Sequence, residues 1–326
     1  MTALPLTAPS AAVAPYSARL DDTDAQVRRV ALLELADLGD PECVPGFIAS
    51  LQGDASPEVR AEAARILGDW ERDAVVEALC GALLDPDEAV REAAALSLSE
   101  LKDARSALVL LGWAQRREPF VRVSVLRGLR ELRYADAFGV ADRALADDAP
   151  AVRIEAIAVL GWLKDHRALA TLAALTAADP EPSVRRAAAG ALGFASTDDP
   201  QVVSALLAAL RDAVWQVREQ AATTLGKLRP GTACEPLMAA LGDAYWQVRL
   251  QAVRALGQLR DAHAAASIAA LLGHSISNLR KEAALALGEL GVRETLTALQ
   301  QALRDPDPDV RKSARIAIAQ IEQARR

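Results

Sequence analysis

A Val-Arg or Leu-Arg pair returns about every 31 residues along this chain, and that recurrence restricts the fold more than any other feature. The arginines are Arg28, Arg60, Arg91, Arg122, Arg153, Arg185, Arg218, Arg249, Arg280 and Arg311, separated by 32, 31, 31, 31, 32, 33, 31, 31 and 31 residues. A period of this length marks a supersecondary unit that cannot bury its apolar face alone and must stack on copies of itself. The clearest copies are Asp212–Leu228, D-A-V-W-Q-V-R-E-Q-A-A-T-T-L-G-K-L, and Asp243–Leu259, D-A-Y-W-Q-V-R-L-Q-A-V-R-A-L-G-Q-L.

Within each copy the side chains have assigned places. Six residues before the arginine an acid stands in eight of ten repeats (Asp22, Asp54, Asp85, Asp147, Asp179, Asp212, Asp243, Asp305), the exceptions being Arg116 and His274. Three residues before it, Pro57, Pro119, Pro150, Pro182 and Pro308 suit a first helical turn, where the missing N–H has no partner to lose. Val217, Ala221, Ala222 and Leu225 then follow at helical spacing. Eight residues after the arginine, Gly68, Gly161, Gly193, Gly226, Gly257 and Gly288 predict either close approach of a neighbouring helix or termination. A second, shorter amphipathic run follows, as in 74–83, 201–210 and 234–241. Each repeat is thus an antiparallel helix pair, and the expected fold is all-α: a right-handed α-solenoid of about ten pairs occupying residues 20–326 as one domain. Residues 1–19, rich in Ala and Pro, read as a disordered leader.

The unit D-x(5)-VR-x2-A-x2-ALG-x-L followed by a short helix resembles the HEAT-like repeat of the phycobilisome-lyase type, over about residues 20–321. The resemblance implies that acid and arginine form an internal ladder between successive repeats, which gives Arg218, Arg249 and their counterparts a structural role. It also implies an armadillo-type scaffold whose concave surface binds protein.

Composition narrows the function. Apolar residues make up 52% of the chain and aromatics only 4%, which favours closely packed small-residue helices. A net charge of −7 removes the overall basic footprint of a nucleic-acid binder. No stretch is apolar enough to span a membrane. Cys43, Cys80 and Cys234 are far apart, without C-x-x-C spacing, which suits a reduced, cytoplasmic protein and supplies no metal or disulfide framework. His166, His263 and His274 are isolated, and no His-Glu dipeptide occurs of the kind that holds di-iron in the HEAT-like deoxyhypusine hydroxylases. No catalytic residue, metal ligand or cofactor is expected.

The departures from the repeat are therefore the candidate sites. Nine residues after the arginine, eight repeats are polar while two present Trp162 and Phe194. Ala158 and Gly190 are small neighbours, and Ile154, Val123 and Phe120 extend an apolar surface expected to form a hollow for a protein partner. Six arginines (Arg116, Arg117, Arg122, Arg127, Arg130, Arg133) crowd into repeat four, and Arg130 at the glycine position predicts a local irregularity there. Arg127 belongs to the candidate surface. Trp215 and Trp246 replace proline at the helix start, with Tyr245, Gln216 and Gln247 beside them, as a second partner-binding group. Two finer readings accompany the scaffold. Segments 245–249 and 277–290 resemble bacterial HEAT-repeat proteins associated with A-type iron–sulfur carriers, and the repeat family implies a bilin lyase or isomerase subunit. Oligomeric state is left open.

Overall fold

The computed structural model describes residues Ala18–Gln323; residues 1–17 of the expected leader lie outside the described residues, while Ala18 and Arg19 join a short 3-10 helix, Ala18–Asp21. The described residues form α- and 3-10 helices without a strand. Ten long helices carry the Val-Arg pairs, and nine shorter α-helices alternate with them, such as Asp73–Ala82, Pro200–Ala209 and Cys234–Ala240. This is an α-solenoid of HEAT-like helix pairs. The chain divides into two compact bodies, one ending at Leu163 and the other beginning at Lys164.

Helix starts follow the sequence. Pro57, Pro119, Pro150, Pro182 and Pro308 each occupy the first helical position, and Trp215, Trp246 and Ser277 take that place in repeats seven to nine. Helix ends do not. Gly226, Gly257 and Gly288 lie inside their helices, Trp215–Leu228, Trp246–Leu259 and Ser277–Leu290. Termination falls three residues later, on Arg229 (φ 57°), Arg260 (φ 58°) and Gly291 (φ 69°), left-handed residues that turn the chain out of the helix. Gly39, Arg133 and Lys164 hold the same place with φ between 53° and 61°.

The inner face is equally regular. The valine or leucine before the arginine is fully buried from Val59 to Val310, and a leucine seven residues after the arginine is closed off from Leu35 to Leu287. Each such side chain contributes roughly 1.5–3 kcal/mol through burial. Val27, in the first repeat, is only half-buried, as expected where no full helix pair precedes it among the described residues.

Candidate interaction surface

The acid and arginine do form a ladder. In five rungs the arginine Nε and Nη2 donate to both carboxylate oxygens of the next repeat's acid at 2.7–3.0 Å: Arg28–Asp54, Arg60–Asp85, Arg185–Asp212, Arg218–Asp243 and Arg280–Asp305. A sixth, Arg122–Asp147, closes at 2.6 and 2.9 Å. Each of these arginines also donates from Nη1 to the carbonyl six residues before it, tying the turn of its own repeat. The acid meanwhile accepts the backbone N–H two residues on, as Asp54 does from Ser56, Asp85 from Asp87 and Asp243 from Tyr245. The Arg218 hydrogen bond holds the Asp243 carboxyl below its usual range, and the same bond raises Arg218.

Two rungs depart from this pattern, and differently. Arg249 meets His274, whose Nδ1 accepts the Ile276 N–H at 2.9 Å and so replaces the acid towards the backbone. It does not replace the acid towards Arg249, whose Nε is buried without an acceptor; Gln247 Oε1 is likewise buried, without a donor. At the other break Arg91 keeps its own bonds to the Asp85 and Pro86 carbonyls, 2.8 and 2.9 Å, and has no carboxylate facing it. Arg116, in the acid's place, lies over the Trp113 ring at 4.3 Å, and Trp113 is fixed by its Nε1 donating to Glu77 at 3.0 Å.

Three of the six arginines crowded into repeat four are paired with acids. Arg127 and Arg130 both donate to Glu155 of the next repeat, at 3.0 and 2.8 Å, and Arg130 also donates to Glu131. Arg122 is spent on its rung. The irregularity expected at Arg130 is absent: Pro119–Glu131 is one continuous α-helix, because Arg130 points out to Glu155. The close approach in repeat four is made two residues earlier, where a methyl on Gly128 would come within 3.1 Å of the Leu98 carbonyl oxygen. Arg29–Glu62 and Arg254–Glu282 are further ion pairs between neighbouring repeats.

The candidate aromatics separate into packed and open. Trp215 stacks on Tyr245 of the next repeat, with ring centroids 5.4 Å apart and planes 14° apart, and the Arg218 guanidinium lies 5.8 Å over Tyr245. Tyr245 is still 46% exposed and Trp246 36%, while Gln216 and Gln247 are half-buried beside them. Phe194 belongs to a 3-10 turn, Leu192–Phe194, and packs edge-on against His166 at 5.9 Å. Gly190 is covered by the Gln220 side chain. In the N-terminal body, Trp162 is 40% and Phe120 39% exposed, whereas Val123, Ile154 and Ala158 are half-buried. The residues expected to make one hollow are thus distributed over the two bodies, and Phe194 is a packed ring rather than an open one.

All three cysteines are buried, and burial pushes the thiols up, to about 12 for Cys80 and about 11 for Cys234, where Asp261 adds to the effect. A thiol held protonated in this way is a poor nucleophile and a poor ligand. His263 is an exposed turn residue paired with Asp261 at 2.7 Å. Among the described residues no cluster of three or more His, Cys, Asp or Glu is placed to hold a metal, and no helix is long and apolar enough to cross a membrane.

The alternation of long and short helices joined by arginine rungs is matched by the family model for HEAT repeats over residues 44–122, 109–193, 172–246 and 234–319. The chain belongs to the HEAT-repeat family. No curated protein sequence matches it. Among solved structures it resembles the Escherichia coli protein YibA, at 20% identity and a TM-score of 0.61 over 83% of this chain and 98% of that one. An engineered protein matches at 19% identity and a TM-score of 0.53, over 95% and 99% of the two chains. Kap95p, in a study of its binding to RanGDP, matches at 15% identity and a TM-score of 0.63 over 96% of this chain and 51% of its own. These likenesses establish the HEAT solenoid fold. Within it, the ladder residues are accounted for by stacking, and the exposed aromatics and interrupted rungs are not.

Proposed function

We propose that this HEAT-repeat chain is a non-catalytic scaffold or accessory factor that binds another protein through the exposed faces of its long helices. The observation that carries the reading is the aromatic group at the start of repeat eight. Tyr245 and Trp246 stay exposed, and Trp215 is stacked beneath Tyr245, so a rigid ring platform is held ready at little entropic cost. Solenoid surfaces of this kind serve partner binding generally, and Kap121p, a neighbour in fold at 16% identity, has been solved bound to Nup53p. The net charge of −7 and the pairing of Arg127 and Arg130 with Glu155 favour a protein over a nucleic acid as partner. A cytoplasmic place accords with three unpaired thiols.

Two finer identities lie within this reading: an accessory factor for an A-type iron–sulfur carrier, and a bilin lyase-like subunit of the phycobilisome-lyase repeat type. Burial of all three thiols counts against either role being carried by this chain's own cysteines. The test is affinity capture of the tagged chain from its native host, with wild type compared with Tyr245→Ala/Trp246→Ala. The reading expects a protein recovered with wild type and lost with the double variant. Equal recovery with both, or no specific protein with wild type, would overturn it.

A further inference from the structure

The empty rung of repeats three and four defines its own ligand. In the five rungs closed by both Nε and Nη2, one carboxylate accepts three hydrogen bonds: two from the preceding arginine, and one from the backbone N–H two residues past the acid. At the empty rung the corresponding donors are Arg91 Nε, Arg91 Nη2 and the Glu118 N–H, and none of them has an acceptor among the described residues. The acid that would fill the place is replaced by Arg116, which has turned away to stack on Trp113. The repeat-nine break is different, because His274 already occupies the Ile276 N–H. Of the two interrupted rungs among the described residues, the Arg91 rung leaves the whole donor set open.

The surroundings have the matching sign. Arg116 and Arg117 are exposed at the same turn, Glu118 is the single acid among residues 114–122, and Phe120 presents an exposed ring at the helix start. In a chain of net charge −7 this is a local concentration of positive charge that draws acidic groups.

We propose that the vacant rung is a docking site for a carboxylate of an acidic segment of the partner protein. One Asp or Glu side chain enters between Arg91 and the Glu118 N–H, as Asp85 enters the rung before it. Arg116 and Arg117 engage the flanking acids, and Phe120 supplies an apolar edge. The planar guanidinium edge favours a carboxylate through two parallel hydrogen bonds. The inference rests on the scaffold reading for the existence of a partner, and the site itself can be tested without one.

The experiment uses the full chain and a fluorescein-labelled, end-blocked hexaglutamate peptide, read by fluorescence anisotropy. Arg116→Asp writes the missing carboxylate into the chain, as Asp54, Asp85 and Asp147 already stand in neighbouring repeats, and His274→Asp serves as the control at the other break. Wild type should bind, more weakly as salt is raised. Arg116→Asp should weaken binding roughly tenfold or more, with an unchanged helical spectrum, and His274→Asp should leave it alone. Equal binding by wild type and Arg116→Asp would overturn the site, as would no binding by wild type. Displacement by inorganic phosphate as effective as displacement by unlabelled hexaglutamate would overturn the assignment to a carboxylate. Capture from the native host separates the two levels. A partner lost with Tyr245→Ala/Trp246→Ala but kept by Arg116→Asp leaves the scaffold reading standing and removes this site from it.

Discussion

Two successive rungs of one ladder have opposite fates. At Arg60–Asp85 the carboxylate is bound on three sides, and both side chains are almost shut off from water. One repeat later Arg91 has the same backbone bonds and the same place in its helix, but a second arginine stands where the acid should be. The helices on either side, Glu88–Ser99 and Pro119–Glu131, are nonetheless regular. Stacking therefore does not require every rung, because the apolar layer of valine, alanine and leucine continues through the gap. A dispensable rung is a position at which the chain is free to meet something else. The break at Arg249–His274 teaches a narrower lesson: a histidine can replace the acid for the turn yet fail the arginine.

Stacking should be broken most effectively where backbones approach most closely. A methyl on Gly226 would lie 2.8 Å from Ala255 Cα, and one on Gly288 would lie 2.8 Å from Ala317 Cα. Gly226→Val should cost about 3 kcal/mol, read as a lower urea midpoint by circular dichroism. A loss under roughly 0.5 kcal/mol would show that the helices are not held that close.

An intact rung comes next. Asp243→Asn leaves Arg218 mostly buried and without its carboxylate, at a cost of about 2 kcal/mol at neutral pH. The sign with pH follows from the depressed Asp243 carboxyl. A lowered folded-state value stabilises above the ordinary carboxylate range and ceases to do so as pH falls through it. The gap between wild type and Asp243→Asn should accordingly close below about pH 4. In urea titrations over pH 3–7, a gap that is constant with pH would mean the carboxylate charge is not what holds the rung.

The half-filled rung should be improvable. His274→Asp gives Arg249 its missing acceptor while keeping the bond to Ile276, so a gain of about 1.5 kcal/mol is expected in the same assay. A loss would show that the imidazole contributes more by packing than the carboxylate would by pairing.

Much of the fold was legible in the sequence because it repeats. The 31-residue period located the helices, the five prolines marked helix starts, and the acid and arginine marked the ladder. What escaped depends on neighbours one repeat away. Glu155, the partner of Arg127 and Arg130, lies 28 and 25 residues on, outside the stretch in which the arginines look unbalanced. Gly68, Gly226, Gly257 and Gly288 make close contact with residues six after the next arginine, as Gly226 does with Ala255, and only half of that pair had a visible pattern. The ends of several helices sit on Arg133, Lys164, Arg229 and Arg260 in the left-handed region, where sequence favours glycine. The candidate surface was legible as a set of departures, but their directions were not. Trp215 pairs with Tyr245 rather than standing beside Trp246 as a matched pair, and Phe194 turns onto His166.

The central claim is that the gap facing Arg91 keeps the shape of a rung. A double-mutant cycle of Arg91→Ala and Arg116→Asp, read by urea denaturation, tests it most directly. Arg116→Asp alone should stabilise the chain, the gain should vanish when Arg91 is alanine, and the coupling should be about 1 kcal/mol. Independent effects, with a coupling near zero, would contradict the account, because the new carboxylate would then not be meeting Arg91 at all.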